Sequence, residues 1–304
     1  MVPYSKNFGN FGVNLTEQKF RELQVLARDT GRNTQELLTL YVLEGFLSRV
    51  AESPYTELLV LKGGVLLAAL DNRRPTRDID FAGIDMNNEA ENVLKVCCEI
   101  ASNFQVDGIV FDIGTATARI IRDEDEYSGA RVSMSASIHT AQISFHIDVN
   151  VGDPIVPGVE RVTIPRLLDS SNPIVLLGYP ISMVLAEKIV TAIQRGTANT
   201  RWRDFGDIYE LSRLHSFPYS ELKTSVNAVA EHRLVEMTTL REGLAGFAEI
   251  GQIKYENWRR KQDRHELPET FADLLEEIYA FSDEVIDGRE ETNAYWNPST
   301  LMWE

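Results

Sequence analysis

The stretch that most constrains this chain is residues 62–81, KGGVLLAALDNRRPTRDIDF. A glycine pair, Gly63-Gly64, opens a short apolar run that reads as a helix over 63–70. An Asp-x-Asp follows on what reads as a strand over 77–82. Side chains alternate across a strand, so Asp78 and Asp80 share one face while Arg77, Ile79 and Phe81 take the other. Adjacent carboxylates repel each other unless water, a cation or a basic group lies between them. A hard divalent cation such as Mg²⁺, held by one or two carboxylates and by substrate phosphates, meets that need. The glycines let the backbone approach a phosphate, and N–H groups at a helix start attract anions. A metal site and a phosphate site in one strand-turn-helix-strand unit point to nucleotide chemistry.

The rest of the chain supplies a frame for that unit. Residues 15–30 and 34–52 read as helices, the second with Thr34 as its N-cap. A short apolar strand at 57–61 precedes the glycine turn, and 88–104 has helical period. Three β-rich runs follow at 106–121, 130–138 and 141–151, the first two separated by an acidic turn at Asp123–Glu126. From Pro180 onward the pattern is helical, with breaks near 196–200, 217–218 and 265–268. The change falls across the proline-containing stretch 154–173. This predicts an α/β (α+β) protein of two domains: a mixed-sheet domain over 1–165, and a helical domain over 166–304 that completes an active-site cleft.

Composition excludes several classes. No run of about 18 apolar residues occurs, so no transmembrane helix is expected, and the first ten residues lack the apolar core of a secretory signal. The only two cysteines, Cys97 and Cys98, are adjacent within a helical pattern, which excludes a disulfide scaffold or zinc ribbon and suits a reducing cytoplasm. A net charge of −16 argues against non-specific coating of nucleic acid. A local basic patch for RNA remains open at Lys254–Lys261, where aromatics are interleaved with the cations; the alternative is a solvated helix face.

Three further constellations carry chemistry. On the strand 144–151, Phe145, Ile147, Val149 and Val151 make an apolar face, and Ser144, His146, Asp148 and Asn150 a polar one. Asp148 is thus a candidate third carboxylate and general base; two metals held by three acids clamp the attacking and leaving oxygens of an in-line phosphoryl displacement. On the helix 184–195, Leu185, Ile189 and Ile193 are core positions, while Lys188 and Arg195 lie two turns apart on roughly one face, suited to a triphosphate tail or simply to solvent. In 201–211, Asp204 shares a face with Ile208 and Leu211 and should point inward, needing Lys188 or Arg203 as partner. Asp207 and Glu210 are expected to face solvent. P-loop, Rossmann, His-Glu-x-x-His and Gly-x-Ser-x-Gly motifs are absent.

Lys62-Gly63-Gly64, Arg74-x-Thr76-x-Asp78-Ile79-Asp80, Ile147-Asp148-Val149, Glu187-Lys188 and the Arg-Asp-x-x-Asp of 203–207 occur in order. Together they resemble the motifs of the AbiEii-type nucleotidyltransferase toxins of type IV toxin–antitoxin systems, a branch of the DNA polymerase β-like superfamily. The resemblance spans roughly residues 55–212. It implies transfer of a nucleoside monophosphate from an NTP with release of pyrophosphate, and in some relatives the acceptor is a tRNA end. It assigns Asp78 and Asp80 to the metal, with Asp148 as the superfamily's third acid. It gives Lys188 to the triphosphate and makes Asp204 a further essential acid. On the reading of the residues themselves, Gly63, Gly64, Lys188 and Arg195 would hold the triphosphate. Where the superfamily commonly has Gly-Ser at the first motif this chain has Gly63-Gly64, which removes a hydroxyl contact to phosphate.

A cognate antitoxin is an implied partner, and many relatives are encoded in toxin–antitoxin or phage-defence loci. An antibiotic-type nucleotidyltransferase acting on a small molecule, and a non-catalytic nucleotide- or antitoxin-binding module, are the alternatives. Thr76, two residues before Asp78, is a candidate control point: if the strand begins early enough its hydroxyl joins the aspartates, and a phosphate there would repel an anionic nucleotide. Otherwise it supports the turn after Pro75.

Overall fold

Strands drawn from Leu59 to Gly178 build a seven-stranded mixed sheet. The computed structural model describes residues 9–70, 75–122, 128–169, 171–288 and 293–304; Arg74 and the acidic turn Asp123–Glu126 lie outside them. The strands are β1 (Leu59–Lys62), β2 (Asp78–Gly83), β3 (Val110–Arg122), β4 (Ser128–Ile138), β5 (Ala141–Val151), β6 (Glu160–Ile164) and β7 (Ile174–Gly178). Their lateral order is β3-β4-β5-β2-β1-β7-β6. The β2–β5 and β1–β7 pairs are parallel and the others antiparallel.

Helices α1 (Gly9–Thr30), α2 (Thr34–Ala51) and α4 (Ala90–Ala101) accompany this sheet. Asn33, not Thr34, caps α2: its side-chain oxygen accepts from the Gln35 and Glu36 amides at 2.8 and 3.3 Å. Helix α2 is buried continuously from Leu37 to Val50, so its two charges need partners. Glu44 accepts from the Leu167 amide at 3.0 Å, and Arg49 binds Asp107 at 2.6 Å. Phe46 of α2 meets Phe111 and Phe145 of the sheet, with ring centroids 6.0 and 6.1 Å apart. That core holds the apolar face of β5 down. The 63–70 segment divides into one α turn, α3 (Gly63–Leu66), and one 3₁₀ turn, Leu67–Leu70.

The remaining helices are α5 (Ile181–Arg195), α6 (Trp202–Leu214), α7 (Tyr219–His232), α8 (Leu240–Gly243), α9 (Phe247–Lys261) and α10 (Phe271–Asp287). A small sheet of β8 (Phe217–Pro218), β9 (Tyr295–Asn297) and β10 (Met302–Trp303) joins them, with no counterpart in the sequence reading. Trp202 stacks on Phe247 at 5.5 Å and meets Phe271 edge-on at 5.2 Å, anchoring the start of α6. Leu185 and Ile189 of α5 are fully buried, whereas Ile193 is only half-buried.

The chain divides into two compact units, but not at residue 165. The first comprises the chain up to Gly152 and Glu160–Gly178; the second comprises Asp153–Val159 and Tyr179–Glu304. Stretch 154–173, read as a boundary, contains β6, and β7 follows it to pair with β1 inside the sheet. Among the described residues no helix is long and apolar enough to cross a membrane.

Candidate active site

Burial sets which way β5 faces. Phe145, Ile147 and Val149 are at most 1% exposed, which turns His146 and Asp148 to the opposite face. Strand β2 lies parallel beside it, with Asp78 opposite His146 and Asp80 opposite Asp148. The three carboxylates assigned by sequence therefore share one face of two neighbouring strands. Asp78 and Asp80 are half-buried, and Asp148 is buried.

Strand β4 adds a residue the sequence reading missed. Arg131 lies directly opposite Asp148 and grips it bidentately, Nε to Oδ1 at 2.8 Å and Nη2 to Oδ2 at 2.6 Å. The Asp148 hydrogen bonds hold the guanidinium above its ordinary range despite burial, and the charges of Asp148, Asp78 and Asp80 add to this. One row further, Ser133 Oγ lies 3.1 Å from His146 Nδ1. Only alternation within Ala130-Arg131-Val132-Ser133 hinted at Arg131; its pairing needed the register.

Gly63 makes room for a catalytic-face side chain. Its φ is +68°, and a Cβ there would fall 1.9 Å from the Asp80 Oδ2. The missing side chain is the space the Asp80 carboxylate occupies. Gly64 is buried. Lys62, also buried, stands opposite Asp80 across β1 and β2. Thr76 is not part of the strand, which begins at Asp78; its hydroxyl donates to the Asp78 carbonyl at 3.3 Å. The turn-supporting role is the one the structure displays.

These carboxylates fit a hard divalent cation. All three donors are oxygen, as Mg²⁺ prefers, and the Gly63 hollow lets Asp80 sit against the backbone. Among the described residues no three acidic, His or Cys side chains already converge as a metal cluster, and Asp148 is bound by Arg131. A carboxylate has about four lone-pair sites, so the bidentate arginine leaves each Asp148 oxygen one more.

The second unit holds the other predicted cations and acids. The Lys188 ammonium donates to Asp204 at 3.0 Å and to Asp207 at 2.7 Å, and Arg201 Nε binds Asp204 at 2.6 Å. Asp204 points inward as expected, with Arg201 supplying the second cation. Burial alone would raise its carboxyl; the charges and hydrogen bonds of Lys188 and Arg201 outweigh that and hold it well below the usual range. The solvent-facing expectation for Asp207 is overturned, since its side chain is fully buried. Glu210 is also partly buried and pairs with Arg264. Arg195 ends α5, where a cation also complements the helix dipole.

The basic patch at 254–261 displays only one of its aromatics in part, Trp258, which is half-buried. Tyr255 is fully buried and donates to the Pro268 carbonyl at 2.6 Å. Arg259 Nε donates to the Leu267 carbonyl at 2.9 Å.

The family model for the AbiEii nucleotidyl transferase toxin of type IV toxin–antitoxin systems matches residues 45–277. The chain belongs to that family. It is a nucleotidyltransferase of the toxin class, and the matched span takes in both the three-carboxylate face and the Lys188 network. Among solved structures it is similar to JHP933 from Helicobacter pylori, at 15% identity and TM-score 0.42, covering 76% of this chain and 97% of that one. A candidate nucleotidyltransferase from the same bacterium is similar at 14% identity and TM-score 0.40, covering 75% and 98%. No protein of curated function matches.

Proposed function

We propose that this AbiEii-family enzyme transfers a nucleoside monophosphate from an NTP to a hydroxyl of an RNA acceptor, such as a tRNA end, and releases pyrophosphate. The observation that carries this reading is the alignment of Asp80 with Asp148 across parallel strands, with Asp78 on the same face. The acceptor oxygen forms the new bond to the α-phosphorus as the bond to the pyrophosphate oxygen breaks. Asp78 and Asp80 would hold Mg²⁺, with Asp148 as third ligand through the lone pairs Arg131 leaves open. Bound there, Mg²⁺ would neutralise phosphate charge and align the attacking and leaving oxygens. Asp148 would take the hydroxyl proton. Arg131 keeps that carboxylate oriented.

Lys188 is proposed as a triphosphate contact from the family resemblance and Arg195 from its place two turns along α5, with Asp204 and Asp207 orienting Lys188 through its hydrogen bonds. Gly63 and Gly64 complete the nucleotide set. A cognate antitoxin is the proposed protein partner, and the cytoplasm, which supplies NTP and RNA, the proposed compartment.

The test incubates the protein and Mg²⁺ with each α-labelled NTP in turn, offering total RNA or a panel of small hydroxyl compounds. Label in RNA from one NTP supports the proposal. Label only on small molecules overturns the RNA acceptor, and absence of transfer with every NTP overturns the catalytic reading.

A further inference from the structure

Across the sheet at the level of Asp80, register places Lys62, Asp80, Asp148, Arg131 and Arg119 in one row. The row ends in two arginines directly opposite each other on β4 and β3. Like charges so placed are unfavourable unless an anion relieves them. Asp148 relieves Arg131, but Arg119 is exposed and has no carboxylate partner among the described residues. Thr117 and Ser133 face each other two residues along, on the same face, offering hydroxyl donors. The carboxylate of β3 nearest in register on this face, Asp112, lies opposite Ser135, beyond a bulge. In a chain with 46 acidic and 30 basic residues, such a patch beside a catalytic face calls for a ligand.

Building on the RNA-acceptor reading, we propose that Arg119 and Arg131 form a phosphate subsite that holds the backbone of the acceptor strand. Sidedness supports the acceptor over the NTP. In an in-line displacement the attacking and leaving oxygens lie on opposite sides of the phosphorus. The glycine turn is reached through β1, on the Asp80 side of the row. The arginines lie past Asp148, the proposed base, on the other side. A planar guanidinium suits a phosphodiester, which it meets with paired hydrogen bonds.

Arg119 is the residue to vary, because replacing Arg131 would also release Asp148. Binding of a fluorescein-labelled single-stranded oligoribonucleotide is measured without metal over a series of salt concentrations, for wild type and for Arg119→Ala, Arg119→Glu and Arg119→Lys. A parallel arm measures binding of a fluorescent NTP analogue. Arg119→Ala should bind the oligonucleotide about tenfold more weakly, as expected for loss of one charge-assisted contact. Its log–log salt slope should be shallower by about 0.7. Arg119→Glu should bind more weakly still, and Arg119→Lys should recover part of the loss. Weakened analogue binding with intact oligonucleotide binding would give the subsite to the NTP and overturn the acceptor assignment. Unchanged oligonucleotide affinity and slope in Arg119→Ala and Arg119→Glu would overturn the subsite and leave the RNA reading standing. A wild-type protein that holds no oligonucleotide at low salt would remove both.

Discussion

Gly63 shows how one residue serves both backbone and chemistry. An L-residue in the left-handed region costs about 1–2 kcal/mol, and here a methyl would also strike the Asp80 carboxylate. Gly31 separates the two effects, having φ +69° but open space for 4 Å around the point a Cβ would take. Gly31→Ala should therefore lower stability by about 1–2 kcal/mol in urea unfolding with transfer activity kept. Gly63→Ala should lose activity as well, because Asp80 must move. At the carboxylates themselves, Asp78→Asn and Asp80→Asn should each lower the transfer rate by about 10²–10³. Mn²⁺ binding followed by paramagnetic resonance should weaken in parallel, in protein that still melts cooperatively. Asp78 and Asp80 were legible from alternation alone, since two residues apart on a strand is a local fact. Arg131 was not, since its partner is fixed by pairing of β4 with β5.

At the scale of elements, ion pairs link α5 to α6. Two cations, Lys188 and Arg201, serve two buried carboxylates, Asp204 and Asp207. Removing one member of a buried ion pair costs about 3–5 kcal/mol, because a charge is left behind in low dielectric. Lys188→Ala should therefore lose about that much stability, and the double variant Lys188→Met with Asp207→Asn should recover part of it in urea unfolding. If Lys188 also contacts triphosphate, NTP affinity should stay low in the double variant even where stability returns. Intact NTP affinity would leave Lys188 a purely structural residue. Asp207 was misread because it is an acid. It lies three residues after Asp204 and one before Ile208, on the same inward stripe, and helical spacing rather than polarity decided its direction. Helix starts showed a similar local ambiguity, and only the geometry distinguished Asn33 from Thr34 as the cap.

For the whole molecule, the depressed Asp204 carboxyl ties stability to acid. A group whose folded value lies below its unfolded one adds stability that is complete above the unfolded value, 3.8 for this carboxyl. That stability is lost as pH falls toward the folded value. The gap in urea midpoint between wild type and Asp204→Asn should be constant above about pH 5 and narrow progressively below pH 4. A gap that widens on acidification would contradict the pairing described here.

Local pattern was enough for what depends on neighbours in the chain. Period-two alternation identified β2 and β5 and the faces of their acids, period 3.6 identified the helices from Pro180 onward, and the ordered motifs identified the family. What depends on pairing between distant segments came only with the tertiary structure. Strand β7 joined the sheet beside β1, moving the unit boundary to Gly178, because a short apolar run next to prolines has no local mark of its partner. The Arg131–Asp148 grip, the Arg119–Arg131 opposition and the hollow that Gly63 leaves for Asp80 have the same origin. Each is a meeting of side chains whose distance along the chain says nothing about their distance in space.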